Sequence, residues 1–270
     1  MKIHTPAPPV SVVVLTVLAL WAPESARAAD TPAQCSAQLG SIALSPQGAV
    51  RELSKAPRYT QGLVVHEDRL YESAGMFGHS GVYALALDGS DESRLTTLDE
   101  SRFGEGLAIL GDRAYNLTWR AQVAYVFDLQ GDGSFEPAEP TTLPYEGEGW
   151  GLTPYEGQLL LSDGTATVRV VDPEDFSVTR QIDVRAGNRP VAGLNELETV
   201  GDQVLANIYG PPLIVAIDPR TGCVTLAIDA SALAKDVRPL LSTGPGAVCG
   251  SFGCTANDYV LNGIAYDAER

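Results

Sequence analysis

Phe103-Gly104-Glu105-Gly106-Leu107 is the stretch on which the fold turns, because its last four residues are one of five versions of a single tetrapeptide. The others are Thr60-Gln61-Gly62-Leu63, Gly149-Trp150-Gly151-Leu152, Leu194-Asn195-Glu196-Leu197 and Leu261-Asn262-Gly263-Ile264. Their last residues are spaced by 44, 45, 45 and 67 positions, the final interval holding an insertion around Cys249 and Cys254. A fixed period of this length is the mark of a repeat architecture.

The residues downstream of each tetrapeptide recur as well. Asp68-Arg69-Leu70-Tyr71, Asp112-Arg113-Ala114-Tyr115, Gly157-Gln158-Leu159-Leu160 and Asp202-Gln203-Val204-Leu205 read as a turn feeding a second strand. Alternating runs ending in Asp88, Asp128, Asp172 and Asp218 read as a third, and short β-branched stretches such as Val178 to Ile182 as a fourth. Four short strands per repeat, bounded by Gly, Asp and Pro turns, is the pattern of a propeller blade. A parallel β-solenoid fits less well, since its coils usually run to about 20–30 residues. The expected fold is all-β, a five-bladed β-propeller over residues 29–270 with its last blade incomplete.

Lys2, the apolar run Val10 to Trp21 and the small-x-small pattern Ala26-Arg27-Ala28 mark residues 1–28 as a cleaved signal peptide. The mature chain is therefore expected to be periplasmic or secreted. The leader carries Lys2 and Arg27 against Glu24, so its loss takes the formal charge from −16 to −17. Such a surface repels phosphate backbones and anionic lipid, which argues against nucleic-acid and membrane partners. A monomer is expected.

Export makes disulfides the default for Cys35, Cys223, Cys249 and Cys254, and four thiols allow three pairings. The glycine-relieved loop Cys249-Gly250-Ser251-Phe252-Gly253-Cys254 favours a Cys249–Cys254 bridge, which leaves Cys35 with Cys223. The histidines His4, His66 and His79 are scattered, so no zinc site is expected. The run Asp128 to Glu139 roughly follows a calcium-loop spacing, yet it lies between strands with no flanking helices and reads as a polar hairpin with, at most, a peripheral ion. Asn116-Leu117-Thr118 is a glycosylation sequon in spelling only.

In a propeller the first strand of every blade lines the axis and enters from one rim. The second tetrapeptide residues Gln61, Glu105, Trp150, Asn195 and Asn262 are thus expected to converge, with Glu72, Ser73, Trp119, Asp163 and Tyr209 nearby on the returning strands. Packing accounts for the constant leucine but gives no reason to vary the neighbouring position, which points to different tasks in one pocket. Glycines beside four of these residues are expected to hold the backbone close and leave room for a ligand. Glu105, walled by Trp119 and Trp150, would lose solvation and titrate in the range useful for proton transfer. Amides from Gln61 and Asn195 could polarise a carbonyl without adding charge.

At these residues the chain resembles the plant-type glutaminyl cyclases, or glutamine cyclotransferases, which are five-bladed-propeller enzymes. The likeness runs from Tyr59 to Tyr266 and includes the five tetrapeptides, Leu70-Tyr71-Glu72-Ser73, Leu117-Thr118-Trp119 and Ser162-Asp163-Gly164-Thr165. The resemblance implies conversion of an N-terminal glutamine of a peptide into pyroglutamate, with ammonia released and no catalytic metal or other cofactor. It implies that Glu105 shuttles a proton from the attacking amine to the leaving group. Gln61 and Asn195 would hold the substrate amide, with Trp119, Trp150, Tyr59, Tyr209 and Asn262 completing the pocket.

Tyr59 stands where the family commonly has Phe, and Tyr209 where Trp is usual. The family's chains continue past the fifth tetrapeptide with two strands and a Gly-Lys-x-Trp motif whose lysine belongs to the site, whereas this sequence ends at Arg270. Residues 41–44 and 49–53 are expected to cover part of the resulting open edge. A catalytically weak or inactive propeller that binds peptides or protein partners, and a calcium-dependent lactonase, are the rival readings. The second requires several inward carboxylates or amides around one ion, and Glu105 flanked by two tryptophans argues against it.

Overall fold

The structure, a computed structural model, describes residues 35, 39–44, 58–237 and 260–268. Strand β1 (Gly40–Ala43) comes first. One antiparallel sheet then holds β2 (Tyr59–His66), β3 (Arg69–Gly75), β4 (Gly81–Ala86) and β5 (Glu92–Thr97) in chain order. A second holds β6 (Gly104–Leu110), β7 (Arg113–Thr118), β8 (Val123–Leu129) and β9 (Phe135–Pro144), and a third β10 (Leu152–Tyr155), β11 (Gln158–Leu161), β12 (Thr167–Val171) and β13 (Val178–Asp183). After the short pair β14 (Arg185–Ala186) and β15 (Arg189–Pro190), the fourth meander is β16 (Leu194–Val200), β17 (Gln203–Ile208), β18 (Leu213–Asp218) and β19 (Cys223–Asp229). A seven-residue helix, α1 (Ser231–Val237), succeeds it. Each of the first four repeats read from the sequence thus becomes a four-strand meander.

The turns are set by residue chemistry. Both central residues of the β2–β3 turn, Glu67 and Asp68, have positive φ, as do Glu156 and Gly157 between β10 and β11. That is the type I′ geometry whose twist matches a hairpin. Gly111 and Gly201 supply the positive φ at the start of the equivalent turns in the second and fourth sheets.

The first strands lie side by side, β2 against β6, β6 against β10, β10 against β16, and β16 in turn touches β2. The tetrapeptide leucines Leu63, Leu107, Leu152 and Leu197 are each no more than 1% exposed. Burying one such side chain contributes about 1.5–3 kcal/mol, so the constant leucine is the packing element of the repeat. The glycine before it holds the backbone close, as expected. A Cβ at Gly62 would stand 2.6 Å from Leu107 N, one at Gly106 2.6 Å from Leu152 N, and one at Gly151 would collide with Asn195 O. These glycines let neighbouring first strands approach backbone to backbone; they do not clear space for a ligand.

Glu196 fills the glycine's place in the fourth copy. Its carboxylate accepts the backbone N–H of Ile264 at 2.8 Å and that of Leu63 at 3.4 Å, while Glu198 Oε1 accepts Tyr266 N at 2.8 Å. The fifth tetrapeptide is thereby held between β16 and β2, with Ile264 and Ala265 buried.

The expectation for the N-terminal segment is corrected in one respect. β1 pairs in parallel with β19, from Gly40 opposite Leu226 to Ala43 opposite Asp229, and so extends the fourth sheet instead of completing a fifth. The cause is covalent: the Cys35–Cys223 disulfide ties the incoming chain to the first residue of β19, and β1 runs alongside that strand in the same direction. Residues 49–53, Cys249 and Cys254 lie outside the described residues.

Candidate active site

Three of the residues singled out by their variability sit on irregularities of the first strands. In β2 the register passes from Thr60 opposite Ala74 to Gly62 opposite Ser73, leaving Gln61 without a direct partner. In β6 it jumps from Gly104–Thr118 to Leu107–Asn116, so Glu105 and Gly106 together face Leu117. In β16 it jumps from Leu194–Ile208 to Leu197–Ala206 around Asn195 and Glu196. A bulge re-aims the side chain it carries, which is why such features gather at functional sites. Asn116 secures the second bulge from beneath, its Nδ2 donating to the carbonyls of Glu105 and Gly106 and to Ser73 Oγ.

Three amides join across the site. Asn195 Nδ2 donates to Asn262 Oδ1 at 3.0 Å, and Asn262 Nδ2 donates to Gln61 Oε1 and, at 3.2 Å, to Thr60 O. The expected neighbourhood of Gln61, Asn195 and Asn262 is therefore present, and it spans β16, the fifth tetrapeptide and β2.

An arc of aromatic rings flanks the amides. Tyr59 meets Phe103 edge-on at 6.3 Å, and Phe103 meets Trp119 at 5.7 Å. Trp150 meets Tyr209 edge-on at 5.5 Å. The link between the two tryptophans is a residue that the sequence did not single out: Trp119 Nε1 and Trp150 Nε1 both donate to Glu148 Oε2, at 2.8 and 3.0 Å. Glu148 Oε1 accepts Arg120 Nε at 2.8 Å, and the Arg120 guanidinium covers the Trp119 ring at 3.8 Å. Arg169 fixes the loop by donating to the carbonyls of Glu146 and Glu148. The indole N–H groups thus point at Glu148 and not at Glu105. An acid two positions before the tryptophan of its tetrapeptide was the available signal, but nothing in the local pattern fixed its direction.

Glu105 is only 6% exposed. Its pKa lies well above the usual carboxylate range, first because burial strips water from the charged form and second because the Glu148 carboxylate repels a second negative charge. Glu148 goes the other way. Burial raises it, but the hydrogen bonds from Trp150, Arg120 and Trp119, with the Arg120 charge, outweigh that and hold it below its ordinary value. Two carboxyl groups with opposed environments, one favouring the acid and the other the carboxylate, are the arrangement expected where a proton is moved.

The other residues placed near the rim have structural partners. Glu72 is fully buried in an ion pair with Arg58 and accepts Thr60 Oγ1. Asp163 caps its turn through Thr165 and lies 3.5 Å from Arg169. In the run 128–139, Asp128 pairs with Arg113 and Asp132 accepts from Ser134, a polar hairpin.

The family model described as glutamine cyclotransferase matches residues 19–270. A glutaminyl-peptide cyclotransferase of Arabidopsis thaliana is 33% identical over 213 residues, covering 78% of this chain, and the chain spans 61% of that protein's length. The crystal structure of Myxococcus xanthus glutaminyl cyclase superposes with a TM-score of 0.63 at 32% identity, over 78% of this chain and 82% of that one.

Proposed function

The chain belongs to the glutamine cyclotransferase family, and from that premise we propose that it converts the N-terminal glutamine of peptides or proteins into pyroglutamate with release of ammonia. Its four meanders are four blades of a five-bladed propeller whose fifth is incomplete, the segment Leu261–Ile264 lining the axis between the fourth blade and the first. The observation that carries the reading is Glu105: a desolvated carboxyl on a bulge, its acid form favoured by burial and by the Glu148 charge.

The reaction is intramolecular. The α-amine attacks the γ-carbonyl carbon, a C–N bond forms in the ring, and the bond to the amide nitrogen breaks. One proton must leave the amine and one must reach the departing nitrogen. Glu105 gives its own proton to the leaving group and takes the amine's on its other oxygen, so it ends the cycle as it began. Gln61, Asn195 and Asn262 orient the substrate amide, and the rings of Trp119, Trp150, Tyr59 and Tyr209 enclose the glutamine side chain, holding amine and carbonyl in a near-attack arrangement. This proton inventory calls for no metal. The Cys35–Cys223 disulfide supports an oxidising, exported setting for the chain. Among the described residues no helix is long and apolar enough to cross a membrane.

The test is ammonia release from a Gln-initiated dipeptide. The parent chain is expected to release it, and Glu105→Gln to do so about 10²–10⁴-fold more slowly. Full activity in Glu105→Gln would remove Glu105 from this role.

A further inference from the structure

Phe77 is 53% exposed, one of the few large apolar side chains among the described residues left in water, and it stands at the edge of the site. It lies just beyond β3, whose last residue Gly75 pairs with Tyr59, so the ring emerges on the rim that carries Gln61. Phe77 meets Phe103 edge-on at 5.4 Å, and Phe103 in turn meets Trp119. The aromatic arc of the site therefore continues outward to a ring left half in solvent by the described residues.

The loop holding this ring is pinned. Gly78 N donates to Glu100 O and His79 N to Met76 O, both at 2.9 Å, while Ser80 Oγ donates to Met76 O and Arg102 O and accepts Gly104 N at 3.0 Å. Met76 has φ +95°, a conformation costly for a side chain of its kind. A strained, well-anchored turn that presents a phenyl ring to solvent beside a pocket gains little packing from it, but it suits a contact made by something that enters the pocket.

Resting on the cyclase reading, we propose that Phe77 is the subsite for the second residue of the substrate, and that the chain favours N-terminal glutaminyl peptides with an aromatic or large apolar residue at that position. The glutamine side chain fills the inner pocket, so the peptide must leave through the rim, and Phe77 offers a ring face at the outer end of the arc. Aromatic pairing of this kind corresponds to about a 2- to 10-fold preference.

The experiment compares kcat/KM for the amides of Gln-Phe and Gln-Ala, measured by ammonia release, in the parent, Phe77→Ala and Phe77→Tyr. The expected result is about a 2- to 10-fold preference for Gln-Phe in the parent, kept by Phe77→Tyr, with Phe77→Ala bringing the two substrates within about twofold of each other. Because the ring is exposed, its removal leaves the core intact. Equal turnover of both substrates by the parent, or a preference that survives Phe77→Ala, overturns the subsite alone. Turnover of neither overturns the cyclase reading and this inference with it.

Discussion

The indole of Trp119 and the carboxylate of Glu148 are joined by a 2.8 Å hydrogen bond, and Trp150 shares the same oxygen. One acid thus sets the angle between two aromatic walls while its charge reaches Glu105.

Glu148→Gln keeps an oxygen for the indoles but removes the charge. A negative neighbour disfavours ionisation of Glu105, so neutralising it lowers the Glu105 pKa. The limb of the kcat/KM profile governed by Glu105 is expected to move to lower pH. A limb that stays in place would mean that the Glu148 charge is not felt there.

Gly151→Ala is expected to destabilise the chain by about 1–3 kcal/mol, the usual consequence of overpacking. Its Cβ would meet Asn195 O, with Glu196 Cα at 2.7 Å and Leu197 N at 2.8 Å, all backbone atoms that cannot rotate away. Gly131→Ala, where a Cβ meets nothing within 4 Å, is the control. Denaturant unfolding of both variants checks this; equal midpoints would contradict the close approach of the first strands.

Glu198 is pushed up to about 8 by burial, against the pull of the N–H groups of Tyr266 and Thr199. The native chain keeps this proton where the unfolded chain has lost it. The contribution is therefore whole below about pH 4 and is lost as the pH rises through 8. Melting temperatures of the parent are expected to fall relative to Glu198→Gln between about pH 5 and 9. Parallel curves would show that the acid titrates normally.

Reduction of the Cys35–Cys223 bond, or Cys223→Ser, releases a cross-link spanning 188 residues. A loss of about 2–5 kcal/mol is expected, measured as a lower unfolding midpoint. The β1–β19 pairing should weaken with it, which amide exchange at residues 40–43 would report.

The blade pattern was legible because leucine burial and hairpin turns are local: Leu107 and Gly111 announce their roles within a few residues. So was the grouping of Gln61, Asn195 and Asn262, since a position that varies inside a constant frame escapes the packing rule. Glu148 was not, because its meaning lies in two indoles 29 and 2 positions away that come together only in the folded chain. The close backbone at the tetrapeptide glycines was legible too, but not that the next repeat's backbone is what crowds them. The Cys35–Cys223 pairing was legible as the remainder once Cys249 and Cys254 are joined, but the parallel docking of β1 on β19 was not, because a pairing of cysteines does not say on which strand the chain between them lies.

Glu196 gives a repetitive chain a unique seam. Its side chain occupies a station where the sister copies have glycine, with main chain pressed against main chain at Gly62, Gly106 and Gly151, so the segment at Ile264 finds carboxylate acceptors at only that junction among the described residues. Near-identical modules risk docking out of turn, or capturing a module from another molecule. A single non-equivalent acid makes the order of assembly readable and keeps the Leu261–Ile264 strip from competing for the other interfaces.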